Sequence, residues 1–177
     1  MSIDKIELDS VDKQIIHLLQ DNPKITHTEI AEIINRSQPT VGLRIKKMHQ
    51  SGILQVQTGI NFNKVEMHLA KVSVRTKNPE IVKKMCNLCP FMVNCFKLQG
   101  RYNTCFFLAA SKLDIIEEIV NIHFRSAEKT IQTKMDIIFD TAKNFIIPID
   151  FNEQAKHNPL NEKECQERCP YCEQVVI

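Results

Sequence analysis

The stretch LDSVDKQIIHLLQDNPKITHTEIAEIINRSQPTVGLRIKKMHQSGIL, Leu8 to Leu54, divides into three helices by its own punctuation. Val11, Ile15, Ile16 and Leu19 recur at helical spacing between Asp9 and Asp21, and Asp9 has the side chain of an N-cap. Asn22-Pro23 stops this helix, because a residue before proline is pushed out of the helical region. Thr26-His-Thr-Glu29 has the form of a capping box and opens a second helix through Ile30, Ile33 and Ile34. After Asn35-Arg36, Ser37 can cap a third helix, with Pro39 in its first turn, where a missing N–H costs nothing. Val41, Ile45 and Met48 share one face of it, and Ser51-Gly52 ends it. Three short helices, the last two joined by a tight turn, predict a helix-turn-helix.

The third helix carries the chemistry. Opposite its apolar stripe stand Pro39, Thr40, Leu43, Lys46, Lys47 and Gln50, with Arg44 on the flank. Between Arg36 and Lys47 there are four basic residues and no acidic one, although the whole chain has a net charge of only +2. A protein that coats nucleic acid by bulk charge is excluded; a local basic face is not. Lys46 and Lys47 can neutralise phosphates, Ser37 and Thr40 can bind phosphate at the helix N-terminus, and Gln38 and Arg44 can hydrogen-bond base edges. The competing reading is a merely solvated helix face, and the two preceding helices weigh against it.

The period then changes. Residues 53–62 read as a short strand and linker. Ala70, Val72 and Val74 alternate with Lys71, Ser73 and Arg75 in a half-buried strand. Asn78-Pro79-Glu80 starts a helix that Pro90 closes, Val93–Leu98 and Tyr102–Ala110 are two strands around Gln99-Gly100-Arg101, and Ser111 caps a long amphipathic helix. Ile131, Thr133, Met135, Ile137 and Phe139 alternate as a last strand. The order βαββαβ is that of ferredoxin-like folds. The expected organisation is an α+β chain: a winged-type helix-turn-helix over 1–57, a linker over 58–66, a ferredoxin-like dimerisation and sensing module over 67–147, and a polar cysteine-containing tail over 148–177. No early stretch has the order of a signal peptide, and apolar runs such as Cys105–Ala110 are too short to span a bilayer. The expectation is a cytoplasmic protein with no membrane partner.

The first half resembles the DNA-binding half of the Lrp/AsnC, or feast/famine, family of transcription regulators. Leu8-Asp9, Asp12, Ile15-Ile16, Leu18-Leu19-Gln20-Asp21, Thr40-Val41, Arg44-Ile45-Lys46 and Gly52-Ile53 carry the likeness in order. The resemblance covers about Ile6 to Ile147. It implies a homodimer, often assembled into tetramers or octamers, on pseudo-palindromic double-stranded DNA, with a βαββαβ second half. It also implies that the turn Gly100-Arg101-Tyr102-Asn103 lines an effector pocket, although Asn103 stands where the family commonly has Asp. Gly42-Leu43 replaces a more usual basic or small polar pair, so the operator preference is this chain's own; Leu43 can meet a thymine methyl. A second class is an enzyme: sirohaem decarboxylases are similar in fold, and Tyr102-Asn103 resembles one of their motifs. Arg101 occupies the place of an expected histidine, and the basic helix face speaks for DNA. A third is an architectural DNA binder with a structural zinc.

The tail ends in CQERCPYC, Cys165 to Cys172. In a reducing compartment the seven cysteines of the chain are thiols or metal ligands sooner than disulfides. Cys165, Cys169 and Cys172 can present three thiolates to zinc, and their spacing resembles that of the radical-SAM 4Fe–4S cluster loop. A fourth ligand is then expected from Cys86 or Cys89, in CNLC, or from His157. For Cys86 and Cys89 the alternative is buried, inert cysteine, which is the expectation for Cys95 and Cys105 in their strands. A zinc ion, a 4Fe–4S cluster or a thiol redox change at these cysteines would add a sensor to the DNA-binding chain.

Overall fold

The computed structural model describes residues 7–127 and 130–161, and the chain divides into two compact units between Gln57 and Thr58. The first holds α1 (Ser10–Asp21), α2 (His27–Ile33) and α3 (Gln38–Gln50). Each begins where side-chain chemistry satisfies orphan amides. Asp12 N donates to Asp9 Oδ1 at 2.8 Å while Asp9 N donates back to Asp12 Oδ2 at 3.3 Å. Thr26 and Glu29 form the same reciprocal box, at 3.2 and 2.7 Å. The α2–α3 turn is tight because Asn35 adopts φ 52°, which lets Arg36 N reach Ala31 O at 2.9 Å. Gly52, at φ 73°, ends α3 in the same left-handed manner.

Ile15, Ile30, Ala31, Val41, Ile45 and Met48 form the core of this unit. Ile33 does not join it and is 61% exposed, because the short α2 turns only Ile30 and Ala31 fully inward. The strand expected over 53–62 is irregular until β1 (Ile60–Asn61), so no wing strand forms among the described residues of the first unit. β1 pairs antiparallel with β6 (Ile146–Ile147), which ties residues 60–61 into the second unit instead of leaving them as linker. Gly59 permits this approach: a Cβ there would stand 2.7 Å from Ile147 O.

The second unit is a four-stranded antiparallel sheet in the order β3 (Met92–Lys97), β4 (Thr104–Ala110), β2 (His68–Thr76), β5 (Thr130–Ile138). The helices α4 (Pro79–Leu88) and α5 (Leu113–Val120) pack on one face. Ala70, Val72, Val74, Phe106, Leu108 and Ala110 meet Val82, Met85, Ile116, Ile119 and Val120 there. α5 continues as a single π-helical turn over Asn121–Arg125. Its N-cap is Lys112, not Ser111, and no side chain caps it. The other sheet face carries a smaller cluster of Phe62, Leu69, Ala109 and Ile147. α6 (Phe151–Ala155) is tied down by Gln154, whose Nε2 donates to Pro90 O and Ala109 O, both at 3.0 Å.

Candidate nucleic-acid interface

α3 is held from behind by its apolar stripe, and its front faces solvent. Ser37, Gln38, Thr40, Leu43, Lys46 and Lys47 are all exposed. Ser37 caps the helix: Thr40 N donates to its Oγ at 3.4 Å, and the two hydroxyls share a hydrogen bond of 2.7 Å. That leaves two hydroxyls and the first-turn amides at the helix end that favours anions. Leu43 is 69% exposed, an unusual place for a leucine in a packed domain and a suitable one for an apolar base contact. Among the described residues no ion pair engages Lys46 or Lys47.

Arg44 has a different position from the one its type suggests. Its Nη1 donates to Asp9 Oδ2 at 2.7 Å and to Asp12 Oδ1 at 2.8 Å, so the guanidinium clamps α3 to the capping box of α1. Its first role is to fix the angle at which α3 is presented; base reading is not what its observed contacts provide. Asp9's carboxyl is held below its ordinary value by the Asp12 amide first and Arg44 second, and Glu29's by the Thr26 amide and hydroxyl. Depressed carboxyl values contribute stability that is complete above the unfolded value of about 4 and fades as pH falls through the lower folded values. The first unit should therefore hold its melting temperature above about pH 5 and lose it progressively below about pH 4. Asp9→Asn keeps a capping oxygen and removes the charge, so it should flatten that acid limb. Thermal melts across pH check this, and an unchanged limb in the variant would remove Asp9 from the account.

In the second unit the turn from Gly100 to Asn103 is built by Asn103. Its Nδ2 donates to Thr76 O at 2.7 Å and its Oδ1 accepts from Thr76 N at 3.1 Å. An aspartate could not donate the first of these, which is a local reason for Asn at this place. Arg101 Nε donates to Gln132 Oε1 at 3.3 Å, and its guanidinium carbon lies 5.8 Å from the Tyr102 ring centre. Cys86 and Cys89 are half-buried against the larger core, and Cys105 is buried. Cys95, expected in the core, is also only half-buried. The register shift between Met92 and Asn94 that sets the burial of Cys95 has no local mark in the sequence. His157 Nδ1 lies 2.7 Å from Glu153 O, one helical turn back. Cys165, Cys169 and Cys172 lie outside the described residues.

The helical unit matches the AsnC-type helix-turn-helix domain over residues 8–49. An HTH-type transcriptional regulator of Pyrococcus horikoshii is 30% identical over 102 residues, which are 55% of this chain and 68% of that one. One of Pyrococcus abyssi is 27% identical over 146 residues, covering 80% of this chain and 99% of the other. The crystal structure of the P. horikoshii protein PH0061 superposes with a TM-score of 0.67 at 24% identity, over 80% of this chain and all of that one. Escherichia coli AsnC superposes at 0.66 and 16% identity, over 80% and 99%. A Neisseria meningitidis regulator solved as an L-Met complex does so at 0.66 and 19%, over 84% and 99%. The chain belongs to the Lrp/AsnC family of transcriptional regulators, with a DNA-binding helix-turn-helix followed by an α+β sheet domain. No helix among the described residues is long and apolar enough to cross a membrane.

Proposed function

We propose that this chain is a sequence-selective regulator that reads double-stranded DNA through α3 as a homodimer, with its affinity modulated at its cysteines. The observation that carries the DNA reading is the solvent-facing row Ser37, Gln38, Thr40, Leu43, Lys46 and Lys47 on a helix whose opposite face is locked into a core. Lys46 and Lys47 supply phosphate neutralisation, Gln38 and Leu43 the base contacts, and Arg44 the presentation angle. Dimerisation is supported by the apolar side chains the sheet unit leaves in solvent, Phe96 at 43%, Ile131 at 57% and Phe139 at 91%. Higher assembly as tetramer or octamer follows the family habit. An effector at the Gly100–Asn103 turn would be met by Arg101 and Tyr102, since the Asn103 carboxamide is already spent on Thr76. Among modulating groups, a zinc ion or 4Fe–4S cluster on Cys165, Cys169 and Cys172, completed by Cys86 or Cys89, is tested by metal and sulfide analysis of anaerobically purified protein.

The test of the main reading is selection from a random duplex library at near-physiological salt, with sedimentation of the free protein. We expect a pseudo-palindromic consensus with half-sites about one helical turn apart and a dimer at micromolar concentration. Enrichment of no sequence would leave an architectural binder, and a monomer would remove the two-fold reading.

A further inference from the structure

The two helices that cover the sheet present opposite charge to solvent. α4 turns Val82 and Met85 into the core and leaves Lys83 and Lys84 exposed. α5 buries Ile116, Ile119 and Val120 and leaves Asp114 and Glu117 exposed and Glu118 half-exposed. Helical spacing sets these charges on the outer faces, away from the sheet. Glu80, the one acid of α4, is ion-paired with Lys97, so Lys83 and Lys84 set the sign of that face. Lys112 stands at the N-cap of α5, ahead of its acidic run. Among the described residues no ion pair engages Lys83, Lys84, Asp114, Glu117 or Glu118. Asp114 Oδ1 accepts from the adjacent Ile115 N at 2.8 Å, a bond that leaves its charge in place.

The sheet topology makes the two helices antiparallel neighbours. β2 and β3 run the same way, each antiparallel to β4, and α4 joins them; α5 joins β4 to β5, which run the opposite way. Both helices pack on the same sheet face. A surface that is merely solvated intersperses its signs, because like charges side by side repel. Here the signs are sorted by helix. A second copy turned about a two-fold axis parallel to the helices lays its α4 on this α5 and its α5 on this α4, so that the lysines of each copy meet the carboxylates of the other. Half-buried Ile81, Leu88 and Ile115 add apolar surface on the same helices. A duplex laid on Lys83 and Lys84 would bring its phosphates against the carboxylates of α5, which disfavours nucleic acid on this face.

We propose that the outer face of α4 and α5 is a self-complementary docking surface for a second copy of this chain. It joins dimers already formed through the open sheet face, and it rests on that dimer reading for the size of the assembly. The helices, of 10 and 8 residues, are about 15 and 12 Å long, so the contact is small beside the roughly 800 Å² per partner of a stable complex. Each contact is therefore weak, and the assembly depends on salt and protein concentration.

The experiment is sedimentation velocity on the full chain from about 1 to 100 µM, at about 0.1 M and 1 M salt. The wild type should form a species larger than a dimer at the lower salt and return towards the dimer at the higher, where the screening length is only about 3 Å. Lys83→Glu with Lys84→Glu makes both helices acidic; Glu117→Lys with Glu118→Lys makes both basic. Each double variant alone should associate at least about a hundredfold more weakly and stay a dimer. An equimolar mixture of the two should regain the larger species, because each then offers the charge the other lacks. The mixture also shows that both variants are folded. A wild type that never exceeds a dimer overturns the proposal, and so does a larger species that persists in both double variants. If only the lysine variant loses duplex affinity while assembly is unchanged, Lys83 and Lys84 belong to DNA and the docking surface is refuted. Variants that fall to monomers uphold the helix contact and refute the dimer on the open sheet face. A wild type that is monomeric throughout refutes both.

Discussion

Replacing Lys46 and Lys47 together by alanine should weaken duplex binding on the order of a thousandfold at about 0.1 M salt, and flatten the dependence of log K on log salt by roughly three to four. The magnitude follows from counterion release. Each phosphate neutralised on B-DNA adds about 0.9 to the slope, and a dimer loses four such charges. Both lysines are exposed, and among the described residues neither is tied up by a carboxylate, so their charge is available to phosphate. The loss should be similar for operator and unrelated duplex, because phosphate contacts carry no base information. Leu43→Ala should do the reverse, reducing the preference for the operator with little change in slope. Filter binding or fluorescence anisotropy over a salt series measures both. An unchanged slope in the double lysine variant would place the DNA surface somewhere other than α3.

Phe106→Ala should destabilise the sheet unit by about 3–5 kcal/mol, a large share of the roughly 5–15 kcal/mol that holds a domain together. Phe106 is fully buried on the helix-covered face, opposite Val72 and Cys95 in the ladder, and its ring centre lies 4.6 Å from that of Phe124. Truncation removes that ring contact and leaves a cavity that strand and helix backbones can close only in part. Urea unfolding followed by circular dichroism should show a lower midpoint with the slope kept. A cost under about 1 kcal/mol would mean that α4 and α5 collapse into the space, and that the core is less rigid than its packing implies.

Local chemistry made much of this protein readable. Asp9 with Asp12, and Thr26 with Glu29, settle their bonds within one helical turn, so the helix starts follow from residue types alone. The βαββαβ order was visible for the same reason, since alternation and helical spacing are properties of short windows. Where a residue's local signal is weak the structure departs from it: Lys112 and not Ser111 is the N-cap of α5, and Ile33 stays exposed because α2 is too short to bury it.

The kind and order of the elements and the basic character of α3 follow from residue types and their spacing alone. Three things depended on the tertiary structure. Arg44 is an ordinary basic residue in the sequence, yet it grips Asp9 and Asp12 because α1 crosses α3 there. Asn103 reads as a turn residue, yet its carboxamide is bonded to the backbone of Thr76 on the neighbouring strand. Cys95 reads as a core residue, yet one bulge sets it opposite Phe106 and leaves it only half-buried. Each pairing joins groups on different elements. No short window holds both members, and a single residue of extra strand length reverses which side chain faces which.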